Sequence, residues 1–357
     1  MFHSESLTLR SACALPSCAE RLRTNPQAKG RFAVLKTEHD TAKAQGQLTS
    51  VPVDLLRCPR TGADLSIEEG ALVSPEGTRY PMTRSGIPLF AAEFCSSDAK
   101  RQQEHYDRVA EAYLTNLMYP HTQEYMGYLD RLFVEAVSRV PFSTVAEICC
   151  GRGEAFQLIG RHVRRGIGVD ISVAMLEAAV ADKTNESIAF VQGDATMLPL
   201  ASESFDTVVM LGGVHHVNDR EKLFAEVARI LKPGGRFLWR EPVSDFFLWR
   251  WLRAVIYRIS PALDAETERP LLYVETVPVL ERVGLRLVSW ETYGFLGFCF
   301  FMNSDVLVFN RLLRFLPGIR AITRLAIRLD SWTTGLRPLR SSGLQVIGIA
   351  AKPQSAA

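Results

Sequence analysis

Six ionisable residues stand where chemistry could be done. Asp170 closes the run Gly166-Ile-Gly-Val-Asp170-Ile-Ser172, and Asp194 closes Phe190-Val-Gln-Gly-Asp194-Ala195. Glu147 lies in Val145-Ala-Glu-Ile-Cys-Cys-Gly-Arg-Gly153, just ahead of a glycine turn. His215 and His216 follow Leu211-Gly-Gly-Val214, and Glu241 sits in Arg240-Glu-Pro242. Carboxylates accept hydrogen bonds from hydroxyl and amino groups. The imidazoles, and Glu241, are the side chains that could take a proton from a reacting group. Gly151 and Gly153 let backbone N–H groups approach a ligand, because glycine has no Cβ to block it.

These residues fall at the ends of short apolar runs. The pattern predicts strands at about 144–149, 165–170, 188–192, 205–211 and 235–240, with helices over 154–163, 173–182 and 219–231. Leu231-Lys-Pro-Gly-Gly235 ends the last helix. Strands alternating with helices imply an α/β fold with a doubly wound, mostly parallel sheet and right-handed crossovers. In such a sheet the glycine turn and the two acids open on one crevice at the carboxyl edge.

Around this core the texture changes. Residues 1 to about 50 have no sustained period and read as a disordered leader, or as a start codon placed too early. From 51 to 95, short strands and turns suggest a small β-rich module. From 96 to about 140 the chain reads as helical: Tyr106, Ala110 and Tyr113 form one stripe, and Met126, Leu129, Leu132, Phe133 and Val137 another, with Pro120 between them. Core packing explains the tyrosines equally well as a lid does. Residues 243–357 hold predicted helices, final strands, and inserted segments rich in Arg, Phe and Leu.

The totals narrow the class. With 41 basic and 39 acidic residues in 357, the net charge of +2 argues against a protein built to hold nucleic acid. Seven scattered cysteines do not form a disulfide framework and favour a reducing cytoplasm. No uncharged run approaches the ~20 residues needed to span a bilayer.

A dinucleotide would need a third glycine three residues after the second, where Phe156 stands. A nucleoside without phosphate suits the crevice better: one acid for ribose hydroxyls, one for an amino group on the base, and the glycine turn for an amino-acid tail. At this point five ordered motifs carry a resemblance. Glu147-Ile-Cys-Cys-Gly-Arg-Gly153, Gly168-Val-Asp-Ile-Ser172, Gly193-Asp-Ala-Thr-Met-Leu-Pro199, Phe205-Asp-Thr-Val208 and Leu231-Lys-Pro-Gly-Gly235 resemble a class I S-adenosylmethionine-dependent methyltransferase, nearest the ubiquinone/menaquinone group, over about 96–242. The resemblance implies a seven-stranded sheet, S-adenosylmethionine as cofactor, and no metal. It also implies roles. Asp170 would hold both ribose hydroxyls, with Ile171 against the adenine and Met175 among the cofactor-binding residues. Asp194 would accept the adenine amino group, with Ala195 beside it. Glu147, Gly151 and Gly153 would hold the methionine end. Cys149 stands where the family usually has glycine. Tyr106, as a lid residue, would border the cationic sulfonium. The plain alternative for each acid is a capping or surface role.

Residues 51–95 resemble a zinc-ribbon-like module of the tRNA-methyltransferase-activator type. Only Cys58 of a ligand set remains, with Thr61 where a second cysteine would sit. Four ligands are needed, so the expectation is no zinc and a module held by its own small apolar core.

Methyl transfer needs a base only where the acceptor loses a proton; His215, His216 and Glu241 are the candidates. The Arg-rich, apolar C-terminal block fits a helical substrate cap, or a surface lying on a membrane through 246–259 and 294–330. The acceptor would be apolar: a quinone, polyketide or lipid-like metabolite moved on O, N or C. The alternatives are a cofactor-binding partner subunit without strong catalysis, or an RNA or protein methyltransferase. The second lacks an Asn/Asp-Pro-Pro-aromatic run at 211–217. The expected location is cytoplasmic or peripheral to a membrane, and the oligomeric state has no signature in the sequence.

Overall fold

The computed structural model describes residues 51–92, 95–104, 115, 117–251, 253, 269–302 and 310–354. Tyr106 and the first fifty residues lie outside this set. Among the described residues the strands form two sheets.

The small sheet is antiparallel, with β1 (Ser66–Glu68), β2 (Ala71–Val73) and β3 (Arg79–Tyr80) in sequence order. The segment Leu56–Leu65 is a loop that touches the large sheet's connections through a bridge from Leu56 to Leu200 and through backbone hydrogen bonds of Leu55 and Arg57. The expectation of a self-contained core is also corrected. Leu56, Cys58, Leu72, Tyr80 and Phe90 belong to an apolar cluster that continues through Leu198, Leu200, Val191 and Ile167. Strands of two or three residues bury too little apolar surface to stand alone, so the module leans on its neighbour. The Cys58 sulfur lies 3.1 Å from the Tyr80 hydroxyl inside that cluster. No group of three or more metal-binding side chains occurs among the described residues.

The large sheet has seven strands in the order β6-β5-β4-β7-β8-β10-β9. These are β4 (Thr144–Ile148), β5 (Arg165–Asp170), β6 (Ile188–Gln192), β7 (Phe205–Leu211), β8 (Leu231–Pro242), β9 (Arg286–Tyr293) and β10 (Gln345–Ala351). Strands β4 to β8 pair in parallel, and β10 runs antiparallel between β8 and β9. The chain steps outward from β4 to β6, then returns to β7 on the other side. The switch point therefore lies beside β4, where ligands bind in open α/β sheets. Crossover helices α2 (Glu154–Ile159), α3 (Val173–Asp182) and α4 (Arg220–Ile230) join these strands. Ser172 and Asp219 cap α3 and α4 by accepting from the Met175 and Lys222 N–H groups, as Ser and Asp do at N-termini. The expected start of β8 at 235 moves to Leu231. The register on β7 jumps from Phe205↔Leu231 to Thr207↔Arg236, so Lys232–Gly235 is absorbed as a bulge.

Parallel strands covered on both faces should be apolar throughout. Accordingly, Thr144–Ile148 is buried at every position. Trp239, Tyr125, Phe133, Phe205, Phe224 and Phe237 are the largest fully buried side chains among the described residues. Gly348 is required opposite Trp239: a Cβ there would fall 2.0 Å from the indole.

On one face lies the cap. Helix α1 (Pro120–Ala136) begins with the proline expected to break the helical region, at a position where its missing N–H costs nothing. It packs with the Phe298–Met302 turn and with α7 (Ile319–Gly335), which follows α5 (Tyr273–Arg282) and the short α6 (Asn310–Leu313). Two buried polar ties hold the cap. The Tyr125 hydroxyl donates to Asp330 at 2.8 Å, and Arg240 donates to Asp130 at 2.9 Å, joining β8 to α1.

Candidate active site

The carboxyl ends of β4, β5, β6 and β7 surround one cleft. Cys149, Gly151, Glu154, Asp170, Ile171, Met175, Asp194, Ala195, Gly213 and His216 all contribute to its wall. The 97–104 helical segment closes one side through Asp98, Ala99 and Gln102.

The turn after β4 is built tightly. Cys149 has φ 51°, a left-handed conformation that is uncommon for a residue with a Cβ. Gly151 and Gly153 follow at φ 51° and 74°. The Cys149 side chain lies against Gly213, where an added Cβ would come within 2.5 Å of it. The cysteine in the usual glycine position is thus accommodated by a glycine on the neighbouring loop.

Asp170 accepts from the Gly151 N–H at 2.8 Å on one oxygen and from the Ser172 N–H at 2.9 Å on the other. The Ile171 backbone adds a further hydrogen bond, and with about four lone-pair directions on a carboxylate acceptor capacity remains for a ligand. Burial pushes the Asp170 carboxyl upward, against the hydrogen bonds from Ser172 and Gly151. Asp194 is more fully engaged. Its Oδ1 accepts from the Thr196 N–H and hydroxyl, both at 2.8 Å, and its Oδ2 accepts from the Ser96 N–H at 2.7 Å. Burial alone would raise this carboxyl, but the hydrogen bonds from Ser96 and Thr196 prevail and hold it below its usual range. The Ser96 hydroxyl adds a further hydrogen bond to this carboxylate.

Glu147, expected at the methionine end, is placed elsewhere. It is sealed behind the turn, accepting from the Ala155 and Phe156 N–H groups at 2.7 and 3.0 Å. It thereby satisfies two free donors at the start of α2. Burial pushes its carboxyl well up. Gly153 is likewise turned away from the cleft, packed against the Phe190 ring. The acid that does face the cleft is Glu154, which reads in the sequence as an ordinary acid in the first turn of a helix. Its carboxylate hangs over Gly151, where a Cβ would come within 2.8 Å of Oε2, and it accepts from the Arg152 N–H at 3.2 Å. Burial, with Asp170 nearby, lifts its carboxyl to about 7. A helix N-terminus ordinarily favours an acid, so only the fold shows that this one borders a ligand space.

Of the proton-transfer candidates, His216 lines the cleft and His215 stands behind it, with ring centroids 3.9 Å apart. Glu241, expected as a base, is fully buried. It accepts from the Gly213, Val214 and His215 N–H groups and lies 2.8 Å from His215 Nδ1. It braces the 213–215 turn and does not open on the cleft.

Asp170, Asp194 and Glu154 line the cleft, and no Lys or Arg is among the described residues of its wall; such a lining suits a nucleoside with a cationic tail and no phosphate. Comparison with known proteins agrees. A family model described as a methyltransferase domain matches residues 146–239. The demethylmenaquinone methyltransferase of Renibacterium salmoninarum is 36% identical over 147 residues, 40% of this chain and 61% of that protein. The ubiquinone/menaquinone biosynthesis C-methyltransferase UbiE of Brucella canis is 29% identical over 182 residues, 44% of this chain and 67% of that one. The chain thus spans about three fifths of the first relative's length. Among solved structures, the (4+2)-cyclase SpnF shares the fold, with a TM-score of 0.52 at 14% identity over 72% of this chain and 97% of that one. In strand order, in the acids at the switch point and in these matches, residues 146–239 are similar to the methyltransferase domain of class I, S-adenosylmethionine-dependent enzymes.

Proposed function

We propose that the whole chain is an S-adenosylmethionine-dependent methyltransferase acting on an apolar small molecule. The two acids at the carboxyl ends of neighbouring strands carry this reading: Asp170 and Asp194 line one cleft, Asp170 for the ribose hydroxyls and Asp194 for the adenine amino group, since carboxylates accept from O–H and N–H donors. Ile171 and Met175 offer apolar surface to the base. Glu154 takes the place first given to Glu147, facing the α-ammonium of the methionine end. Its proton is displaced when that cation arrives.

When bound, S-adenosylmethionine supplies a methyl group on a sulfonium carbon. The chain's own residues orient and shield it. The 97–104 segment, tied to Asp194 through Ser96, covers the adenine side against water. His216 is the group placed to take a proton from an acceptor. With Glu241 accepting from Nδ1–H, His215 keeps one tautomer and fixes the ring that packs, tilted, against His216. Glu241 and His215 are positioning residues in this reading.

Residues 51–95 act as a built-in brace of the activator type. Leu89 pairs with Gln192, Arg57 N–H donates to the Pro199 carbonyl, and Ala201 N–H donates to the Leu55 carbonyl, steadying the chain on both sides of Asp194. The apolar acceptor rests on the quinone-modifying relatives and on the aromatic cap around Tyr125, Phe298 and Phe301. The expected membrane contact of 246–259 and 294–330, of which 252, 254–259 and 303–309 lie outside the described residues, fits an acceptor drawn from lipid.

The test is an apolar metabolite extract incubated with methyl-labelled cofactor, comparing the parent with Asp170→Ala. Label should enter an organic-soluble product only with the parent. Label in RNA or protein instead would overturn the acceptor class.

A further inference from the structure

The outer surface of the cap has no part in the cleft. Helix α7 carries two apolar faces. The inner one, with Ile319 and Ile327, is buried in a cluster with Tyr125, Trp249 and Phe298. On the outer one, Ile322, Leu325, Leu329 and Trp332 recur at i, i+3, i+7 and i+10, with Leu325 56% and Trp332 65% exposed. A helix of a water-surrounded domain carries one such stripe; a second one facing outward marks an interaction surface. The same cluster anchors neighbouring segments whose outer residues are also bare, with Phe315 69% and Phe247 76% exposed.

Charge decides what covers this face. From 310 to 342 the sequence has seven arginines and one acid, Asp330. Asp330 is buried and accepts from the Tyr125 hydroxyl and the Leu296 and Gly297 N–H groups, so it offers nothing to a partner. Arg320 and Arg324 share Glu124 at 3.5 and 3.3 Å, while Arg311, Arg314 and Arg328 are exposed beside the apolar stripe. The partner must therefore be apolar within and negative at its rim. No helix among the described residues is long and apolar enough to cross a membrane, so the contact is with a surface. We propose that the outer face of α6 and α7, with Phe247 and Trp251, seats the protein on an anionic phospholipid bilayer. Trp332, Trp251 and Phe315 would sit at headgroup depth and the arginines on lipid phosphates. This inference does not depend on methyl transfer.

The test is flotation of the full chain with vesicles of phosphatidylcholine, with and without 30% phosphatidylglycerol, at about 0.1 and 0.5 M salt. The parent should float with the anionic vesicles and be released by salt. Arg311→Gln/Arg314→Gln/Arg328→Gln should lower partitioning about a hundredfold, at about fivefold per cation. Leu325→Gln/Leu329→Gln/Trp332→Gln should lower it at least about tenfold at either salt. Unchanged S-adenosylhomocysteine affinity in calorimetry would show that each variant is folded. Quenching of tryptophan fluorescence by brominated anionic lipid in the parent gives a readout that needs no variant. Equal flotation with both vesicle types would overturn the proposal. So would a dimer in sedimentation that the Leu325/Leu329/Trp332 variant turns into a monomer, because a second copy would then cover the face.

Discussion

The cleft at the switch point and the outer face of the cap stand on one scaffold and solve opposite problems. In the cleft, carboxylates are drawn out of water and tied down by backbone donors, as Asp170 is by Gly151 and Ser172 and Asp194 by Ser96 and Thr196. Both line one cleft. On the cap, apolar side chains stand in water and the charges are arginines at the rim. The first is preorganised for a small cation with a defined pattern of donors. The second offers area and sign with no fixed geometry, which suits an extended partner. One consequence is that the two should respond to mutation independently.

The largest expected effect lies in neither region but in the core both depend on. Trp239→Ala removes an indole that packs on Phe237 and faces Gly348. It should cost about 3–5 kcal/mol of unfolding free energy, read as a lower denaturant midpoint. Next, Asp170→Ala removes an acceptor for two ribose hydroxyls and for two turn N–H groups. S-adenosylhomocysteine affinity should fall roughly a hundredfold, with vesicle binding unchanged.

Glu154→Gln should have a smaller effect with a clear pH signature. With the carboxyl lifted to about 7, the ion that meets the ammonium is mostly protonated at pH 6 and mostly ionised at pH 8. The parent's affinity for S-adenosylhomocysteine should therefore rise about tenfold over that interval, and the variant's should stay flat. The stability sign runs the other way. Between the unfolded value near 4.5 and about 7, the folded ligand-free protein holds a proton that the unfolded chain releases. Rising pH through that window thus lowers the melting temperature of the free protein, and less so in Glu154→Gln. Smallest of all, Leu325→Ser on the outer face of α7 should change stability by less than about 0.5 kcal/mol, because its side chain is mostly in water already. A loss above about 2 kcal/mol would show that the outer stripe belongs to the core.

The contrast also explains what could be read from residues alone. The strands carrying Asp170 and Asp194 are short apolar runs ended by an acid, and one rule of parallel sheets brings such ends together. The crevice is therefore legible in the residues alone. The assignments inside it were less so. Glu147 and Glu154 both flank the glycine turn, and sequence does not say which carboxylate bends behind the turn and which hangs over it. The path of Ala155 and Phe156 decides that, by presenting two N–H groups to Glu147. Glu241 is similar: its place at a strand end suggested a base, but the 213–215 turn folds back onto it. The Lys-Pro-Gly-Gly bulge extends β8 through pairing with β7, a tertiary effect no local period records. The module at 51–92 looked separate because its strands are short, and short strands are what forced it onto the larger core.

The central claim is that this cleft holds an adenosine bearing a cationic amino-acid tail. Calorimetric titration of the full chain with S-adenosylhomocysteine, and separately with NADH, tests it most directly. One site for S-adenosylhomocysteine in the micromolar range, lost in Asp170→Ala, and no heat with NADH is the predicted result. Saturable binding of NADH with none of S-adenosylhomocysteine would contradict it.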